Sequence, residues 1–473
     1  MMMSQRKAKI VATIGPACET EQMLIRLIEN GLDIARLNFS HGTHEEHLVK
    51  IKRIRQAAQK TGKEVAILQD LQGPKIRIGT FEDPPIQLRP GDLFTITTDD
   101  VPGNENIVST TYQHLPKDVK PGDYILVNDG LIKLLVQQTT DRDVFCEVIN
   151  GGSLYDRKGI NLPGVKISEP SLTAKDRADL DFGLKHGVDY VALSFVRDAE
   201  SLYEVKKIIG DREVPVIAKL EKPEALDNLD AIIAAADGVM VARGDLGVEI
   251  SAARVPVVQK QIIEKALAAG KPVITATQML DSMMVHPVPT RAEASDVANA
   301  IFDGSDAVML SGETAFGKFP LESLRTMDTI IRESEAAPSY FRLNPVKFWE
   351  DRQLNFSQSV CESAYYSSKE IKARWIVVFT ETGSTARIMS NLRPETPILA
   401  LTGNPETLRH LQLFWGVQPA LIDKKIEITR DMQFLEEFLI NGGWVQSGDK
   451  IVVIAGSSQA VGGTNMLRLH QVG

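Results

Sequence analysis

Two periods meet in the stretch DGVMVARGDLGVEISAARVPVVQKQIIEKALAAG (237–270). It opens on DGVMVARGD (237–245), where Val239 to Ala242 hold no polar residue. A strand with one wet face alternates, whereas a run apolar throughout is buried on both faces, as in a parallel sheet. The second half, AARVPVVQKQIIEKALAAG (252–270), spaces its large apolar residues for one face of a helix. One buried strand followed by one amphipathic helix is the unit.

The unit recurs along the chain. KIVATIG (9–15), IARLNFS (34–40), EVAILQD (64–70), VDYVALSF (188–195), VPVIAKLE (214–221), PVITATQM (272–279) and DAVMLSG (306–312) are runs of the same kind. With 237–245 they make eight, most of them separated by helical patterns, and predict a parallel (β/α)₈ TIM barrel. The rhythm breaks between about Pro74 and Pro170, where short alternating segments are punctuated by Pro90-Gly91-Asp92, Pro121-Gly122-Asp123 and Asn150-Gly151-Gly152. Those turn signals predict a small all-β domain inserted after the third barrel strand, hinged by proline near both crossings. After about Pro345 a second α/β series begins, with RWIVVFT (374–380), TPILALT (396–402), QPALI (418–422) and DKIVVIAG (449–456). The expected fold class is α/β: a barrel of residues 1–73 and 170–345, a β lid of 74–169, and a C-terminal α/β domain of 346–473.

Composition narrows the function. The chain has 473 residues, 43% hydrophobic and 24% charged, with a formal net charge of −9. No basic face is available to release counterions, which argues against nucleic acid and membrane surfaces as partners. No apolar run reaches the roughly 18–20 residues of a membrane span. The start, MMMSQRKAKIVATIGPA, passes into a strand pattern without a signal segment. Cys18, Cys146 and Cys361 are too few and scattered for a disulfide framework or zinc site, so buried thiols in the cytoplasm are expected.

Active sites of such barrels lie at the C-terminal strand ends. Those ends carry Arg36, Asn38 and Ser40, then Asp70, Lys219 with Glu221, Arg243 with Asp245, Thr277, and Ser311 with Glu313. Glu221 and Asp245 end consecutive strands, and two carboxylates with few other ligands suit Mg²⁺. The competing reading pairs them with Lys219 and Arg243. Lys219 lies in an otherwise apolar strand, so its ammonium is expected at the mouth near the metal. Arg36 offers a planar fork for phosphate or carboxylate. Thr277 presents a hydroxyl that can position a water or relay a proton. Neither a Walker-type loop nor G-x-G-x-x-G occurs, so a nucleotide must be held in another way.

The motifs ARLNFSHG (35–42), DLQGPKIR (70–77), KGINLPG (158–164), IAKLEKPEAL (217–226), VMVARGDLGVE (239–249), TATQMLDSM (275–283), PTRAEASDVANAIFDGSDAVMLSGETA (289–315) and GGTNMLRL (462–469) stand in this order. Over essentially its full length the chain resembles pyruvate kinases. The resemblance implies a catalytic barrel, a mobile β-barrel lid, a C-terminal domain and a homotetramer, with phosphoryl transfer from phosphoenolpyruvate to ADP in glycolysis. It implies Mg²⁺ or Mn²⁺ on Glu221 and Asp245, and Lys219 and Arg36 on the transferring phosphoryl group. The backbone amides of Gly244 and Asp245, with the Thr277 hydroxyl, would hold the substrate carboxylate. Thr277 and Ser311 are both candidates for the proton path to the enolate. Asn38, His41, Arg77 and Lys158 match nucleotide-contacting positions.

Two positions depart from a common pattern. Many members hold potassium on residues matching Asn38, Ser40, Asp70 and the main-chain carbonyl of Leu71, with threonine where this chain has Leu71 and glutamate where it has Lys75. A tethered ammonium at Lys75 is expected to replace the mobile cation. In the C-terminal domain, Thr380-Glu381-Thr382-Gly383-Ser384-Thr385 opens a predicted helix after a strand and makes a candidate phosphate nest. The matching loop binds fructose 1,6-bisphosphate in some members. Here Glu381 adds a negative charge, and SSQAVGG (457–463) lacks the tryptophan and arginine that many such members use, which favours a monophosphate such as AMP or a sugar monophosphate. Two other classes stay open. A Mg²⁺-dependent barrel aldolase or lyase would release pyruvate without nucleotide, and a catalytically silent homologue would only bind effectors.

Overall fold

The structure is a computed structural model that describes residues 6–337, 340, 355–422, 431–456 and 463–473. All eight predicted runs form barrel strands. They are β1 (Lys9–Thr13), β2 (Ile34–Asn38), β3 (Ala66–Asp70), β12 (Tyr190–Leu193), β13 (Val216–Leu220), β14 (Gly238–Ala242), β15 (Val273–Ala276) and β16 (Ala307–Leu310). Their order is β1-β16-β15-β14-β13-β12-β3-β2, closed by parallel pairing of β1 with both β16 and β2. Each strand sends residues inward, among them Val11, Ile34, Leu68, Ala192, Ile217, Met240, Ile274 and Met309, to one interior cluster. Residues pointing outward join the larger cluster under the helices. Burial on both sides is why these runs lack alternation.

The amphipathic stretch forms the helix Val255–Ala268, burying Val255, Val258, Ile262, Ile263 and Ala266. The strand before it is shorter than its apolar run implied. It stops at Ala242, and Arg243–Ile250 becomes a further helix, so Asp245 sits in a first helical turn. Helix starts follow the capping rules: Thr43 with Glu46, Thr173 with Asp176 and Thr290 with Glu293 each form a reciprocal box.

Between β3 and β12 lie β4 (Ile86–Leu88), β5 (Leu93–Thr97), β6 (Ile107–Ser109), β7 (Tyr124–Val127), β8 (Ile132–Thr139), β9 (Asp143–Asn150), β10 (Gly152–Leu154) and β11 (Ile160–Asn161). They form a six-stranded sheet, β11-β7-β8-β9-β5-β6, and a two-stranded ribbon around their own apolar core. The chain enters this inserted domain through Gly73, whose φ of +67° is open to glycine, and an added Cβ there would lie 2.7 Å from the Phe195 ring. On the return crossing, Arg197 donates to the carbonyls of Ile167 and Glu169.

The C-terminal sheet holds β17 (Trp375–Phe379), β18 (Ile398–Thr402), β19 (Val417–Leu421), β20 (Lys450–Gly456) and β21 (Thr464–Gln471), in the order β19-β18-β17-β20-β21. It docks on the floor of the barrel. Leu413 enters the interior cluster of the barrel strands, and buried Lys9 donates to the Val417 carbonyl. Arg409 pairs with Asp189 at 2.6 Å, and the Tyr190 hydroxyl donates to the His410 carbonyl. The three cysteines are free and buried. No helix among the described residues is long and apolar enough to cross a membrane.

Candidate active site

The barrel mouth gathers one charge cluster. Asp70, at the end of β3, accepts from Arg36 Nε at 2.6 Å through one oxygen and lies 3.1 Å from Lys219 Nζ through the other. Lys219 Nζ is also 3.0 Å from Glu221 and donates to the Ser194 hydroxyl at 2.7 Å. The second Glu221 oxygen accepts from the Phe195 amide at 2.8 Å. Arg36 donates further to the Thr13 hydroxyl. Strand ends from β1, β2, β3, β12 and β13 thus meet around Lys219.

Burial alone would neutralise these groups, and their partners decide otherwise. Burial disfavours the Lys219 ammonium, but Asp70 and Glu221 outweigh it and hold its pKa above the ordinary value. Burial likewise opposes the Asp70 carboxylate, yet Lys219 and Arg36 hold it below the usual range. Glu221 goes the other way: burial raises it, and nearby Asp245 adds to the rise against the pull of Lys219. Two neighbouring carboxylates with incomplete compensation and hard oxygen donors fit a divalent ion of the Mg²⁺ or Mn²⁺ type. Among the described residues no group of three His, Cys, Asp or Glu is arranged for a metal, so further ligands would come from substrate or water.

Thr277 has a left-handed backbone, φ +72°, uncommon for a β-branched residue. Its hydroxyl accepts from the Gly244 amide at 2.7 Å and donates to the Ala276 carbonyl. Arg243 holds this loop. It turns away from the mouth, pairs with Asp296, and donates to the carbonyls of Ala276 and Thr277. Arg243 is therefore no partner of Asp245 and braces the site from behind. Glu313 is also turned inward, accepting from the amides of Leu280 and Ser311. The Ser311 hydroxyl is buried and has no hydrogen-bond partner among the described residues.

Asn38 and His41 line a cleft of about 380 Å³ beside the mouth, together with Pro16, Gly42, Lys50 and Arg53. Partial burial lowers the His41 pKa, and the positive charges of Arg77, Lys75 and Arg36 push it the same way. Lys158 lies on the lid with its ammonium 5.8 Å from the Tyr155 ring centroid. Its neighbour Gly159 approaches Lys75: a Cβ there would lie 3.8 Å from Lys75 Cε. Lys75 borders a narrow gap between lid and barrel with Phe195, Lys222 and Asp245, rather than contacting Asp70, whose oxygens belong to Arg36 and Lys219. The other potassium-type oxygens are also engaged. Asn38 Oδ1 accepts from the Ser40 amide, and the Leu71 carbonyl accepts from Ser194 at 2.6 Å.

In the C-terminal domain, Gly383 has φ +83° and starts the helix Ser384–Asn391. Thr380 and Thr385 are spent internally, on the Gly383 amide and the Thr464 hydroxyl. Thr382, Gly383 and Ser384 instead line a second cleft of about 380 Å³, between this domain and the barrel floor, with Lys206, Arg387 and His410. Most of the 457–463 loop lies outside the described residues.

Sequence reading missed Ser194 and Thr13, which sit in apolar runs as ordinary small polar residues. Only their neighbours in space give them a role.

A family model described as the pyruvate kinase barrel domain matches residues 5–324, and one for the pyruvate kinase alpha/beta domain matches 358–470. A pyruvate kinase of Corynebacterium glutamicum is 46% identical over 471 residues, covering 99% of this chain and 98% of the relative. One of Staphylococcus saprophyticus is 44% identical, covering 99% and 81%. A crystal structure of a pyruvate kinase from Cryptosporidium parvum superposes with a TM-score of 0.90 at 37% identity, covering 99% of this chain and 96% of the other. With barrel, mouth and sequence all agreeing, the chain belongs to the pyruvate kinase family.

Proposed function

We propose that the family's reaction, transfer of the phosphoryl group of phosphoenolpyruvate to ADP, is carried out here by the charge cluster around Lys219. The P–O bond to the enol oxygen breaks, a bond to a β-phosphate oxygen of ADP forms, and the enolate gains a proton at its methylene carbon to give pyruvate. Arg36 and Lys219 bind the phosphoryl oxygens with fixed positive charge, and Asp70 orients both. Glu221 and Asp245 would hold Mg²⁺ or Mn²⁺, which would supply positive charge against the negative charge of the phosphoryl transfer. The amides of Gly244 and Asp245 and the Thr277 hydroxyl orient the substrate carboxylate at the helix start, with the 2.7 Å bond between Gly244 and Thr277 opening as the substrate binds. Ser311 has an unpartnered hydroxyl, which favours it over Thr277 for the proton path. ADP occupies the cleft of Asn38 and His41, and the lid brings Arg77 and Lys158 over its phosphates and excludes water.

The observation that carries this reading is the Lys219 ammonium within 3.1 Å of both Asp70 and Glu221. A lactate dehydrogenase-coupled assay with phosphoenolpyruvate, ADP and Mg²⁺ tests it, and pyruvate release without ADP would instead show a lyase. Lys75 supplies the positive charge that potassium supplies elsewhere, a reading supported by the engaged oxygens of Asn38, Asp70 and Leu71. A phosphorylated effector, AMP or a sugar monophosphate, acts through the Thr380–Thr385 loop, supported by the open face of Thr382 to Ser384 beside Arg387. We assign residues 1–73 and 170–345 to catalysis, 74–169 to the lid, and 346–473 to regulation and assembly as a cytoplasmic homotetramer. Sedimentation tests the assembly.

A further inference from the structure

We infer that Glu249 is the latch that holds the lid down, a positioning residue tying lid closure to the helix that bears Asp245. Its side chain is 1% exposed and takes two bonds through Oε1: Lys222 Nζ at 2.6 Å from the barrel, and Asn161 Nδ2 at 3.1 Å from lid strand β11. Its other oxygen is buried and has no hydrogen-bond partner among the described residues. A carboxylate so buried depends on each donor it has, so the Asn161 amide is not a bond the site gives up readily.

The neighbouring contacts make this a docking edge rather than one stray bond. At the β7–β8 turn, Asn128, Asp129 and Gly130 all have positive φ, 55°, 56° and 85°. The turn rests on the same helix: a Cβ on Gly130 would lie 3.6 Å from Val248 Cγ1. The Asn128 amide bonds to the Gly159 carbonyl, and β11 pairs with β7, so the turn and Asn161 move together. On the barrel side, Asp245 and Glu249 stand four residues apart on the helix Arg243–Ile250. Lys222 directly follows Glu221, with its ammonium 5.8 Å from the centroid of the Phe195 ring that packs at the lid hinge. One proposed metal carboxylate, Glu221, thus adjoins Lys222 in sequence, and the other, Asp245, stands about one helical turn before Glu249. Lid position and metal-site geometry are set by one buried cluster.

This inference rests on the proposed closure of the lid over the nucleotide, which activity and ADP binding of the unaltered enzyme test separately. The test compares Asn161→Ala, Glu249→Gln and the double variant in steady-state kinetics. Losing a hydrogen bond to a charged partner raises the KM for ADP about tenfold or more, while the KM for phosphoenolpyruvate changes far less. In the double variant the two effects do not multiply, because both act through the same bond. A second measurement covers the case in which Glu249→Gln fails to fold. In the parent, ADP with Mg²⁺ slows amide hydrogen exchange across residues 126–132, and Asn161→Ala abolishes that slowing. An Asn161→Ala enzyme with the parent's KM for ADP and the parent's exchange protection overturns the latch. So does a double variant whose effects multiply independently.

Discussion

Replacing Lys219 with methionine keeps most of the side chain's bulk and removes its charge, and two observables should then move in opposite directions. The ammonium lies 3.0 Å from Glu221 and 3.1 Å from Asp70, both 1% exposed. At an effective dielectric near 20, a unit charge pair at 3 Å attracts by about 5–6 kcal/mol, an upper bound before desolvation is subtracted. In the proposed site this charge competes with the metal for Glu221 and repels it. Its removal should therefore tighten Mn²⁺ binding by about tenfold or more, even if only a quarter of that attraction survives as a net effect. The phosphoryl group loses a fixed cation at the same time. By the scale of other preorganised donors, kcat should fall by about a hundredfold to a thousandfold. Mn²⁺ titration by electron paramagnetic resonance reads the first quantity, and the coupled assay reads the second. A variant that binds Mn²⁺ more weakly, or keeps kcat within about tenfold of the parent, would refute the reasoning.

Further predictions concern the hinge, the barrel floor and acid stability. If Lys75 supplies the cation, the parent runs equally fast in tetramethylammonium buffer with and without KCl, and Lys75→Glu slows the potassium-free rate on the order of a thousandfold. Strong activation of the parent by potassium would contradict this. Leu413→Ala empties a 1%-exposed position at the base of the barrel core, so urea unfolding should show a loss of about 2–5 kcal/mol. An unchanged midpoint would mean that Leu413 does not seal the floor. Burial pushes His47 down to about 4, against the opposing bond to the His41 carbonyl. The unfolded chain, with an ordinary histidine near 6.5, then binds more protons below that pH. Stability is fully present above about pH 6.5 and is lost as pH falls toward 4, so the melting gap between the parent and His47→Gln should narrow on acidification. Parallel curves would exclude His47 as a source of acid sensitivity.

Much of this was legible in the chain because its signals are local. Eight runs without alternation announced strands covered on both faces, and their C-terminal ends delivered Arg36, Asp70, Lys219 and Glu221 to one mouth. The inserted β strands between β3 and β12 show in the chain as a loss of helical period between proline-marked crossings. β21 went unread as a strand because Asn465, Arg468 and His470 interrupt its apolar residues, and it lies at a sheet edge where one row of bonds is enough. What the linear order could not convey was pairing across long separations. Arg243 and Glu313 end strands as Lys219 does, yet the fold turns the first to Asp296 and the second to backbone amides. Leu413 reads as one apolar residue among many until the C-terminal domain drives it into the barrel floor. Asn161 and Glu249 stand 88 residues apart and meet only when the lid lies on the barrel. Periodicity reports which face a residue shows to its own element, whereas a partner is chosen by packing between elements, and burial then decides whether a charge there is neutralised, paired or left for a ligand.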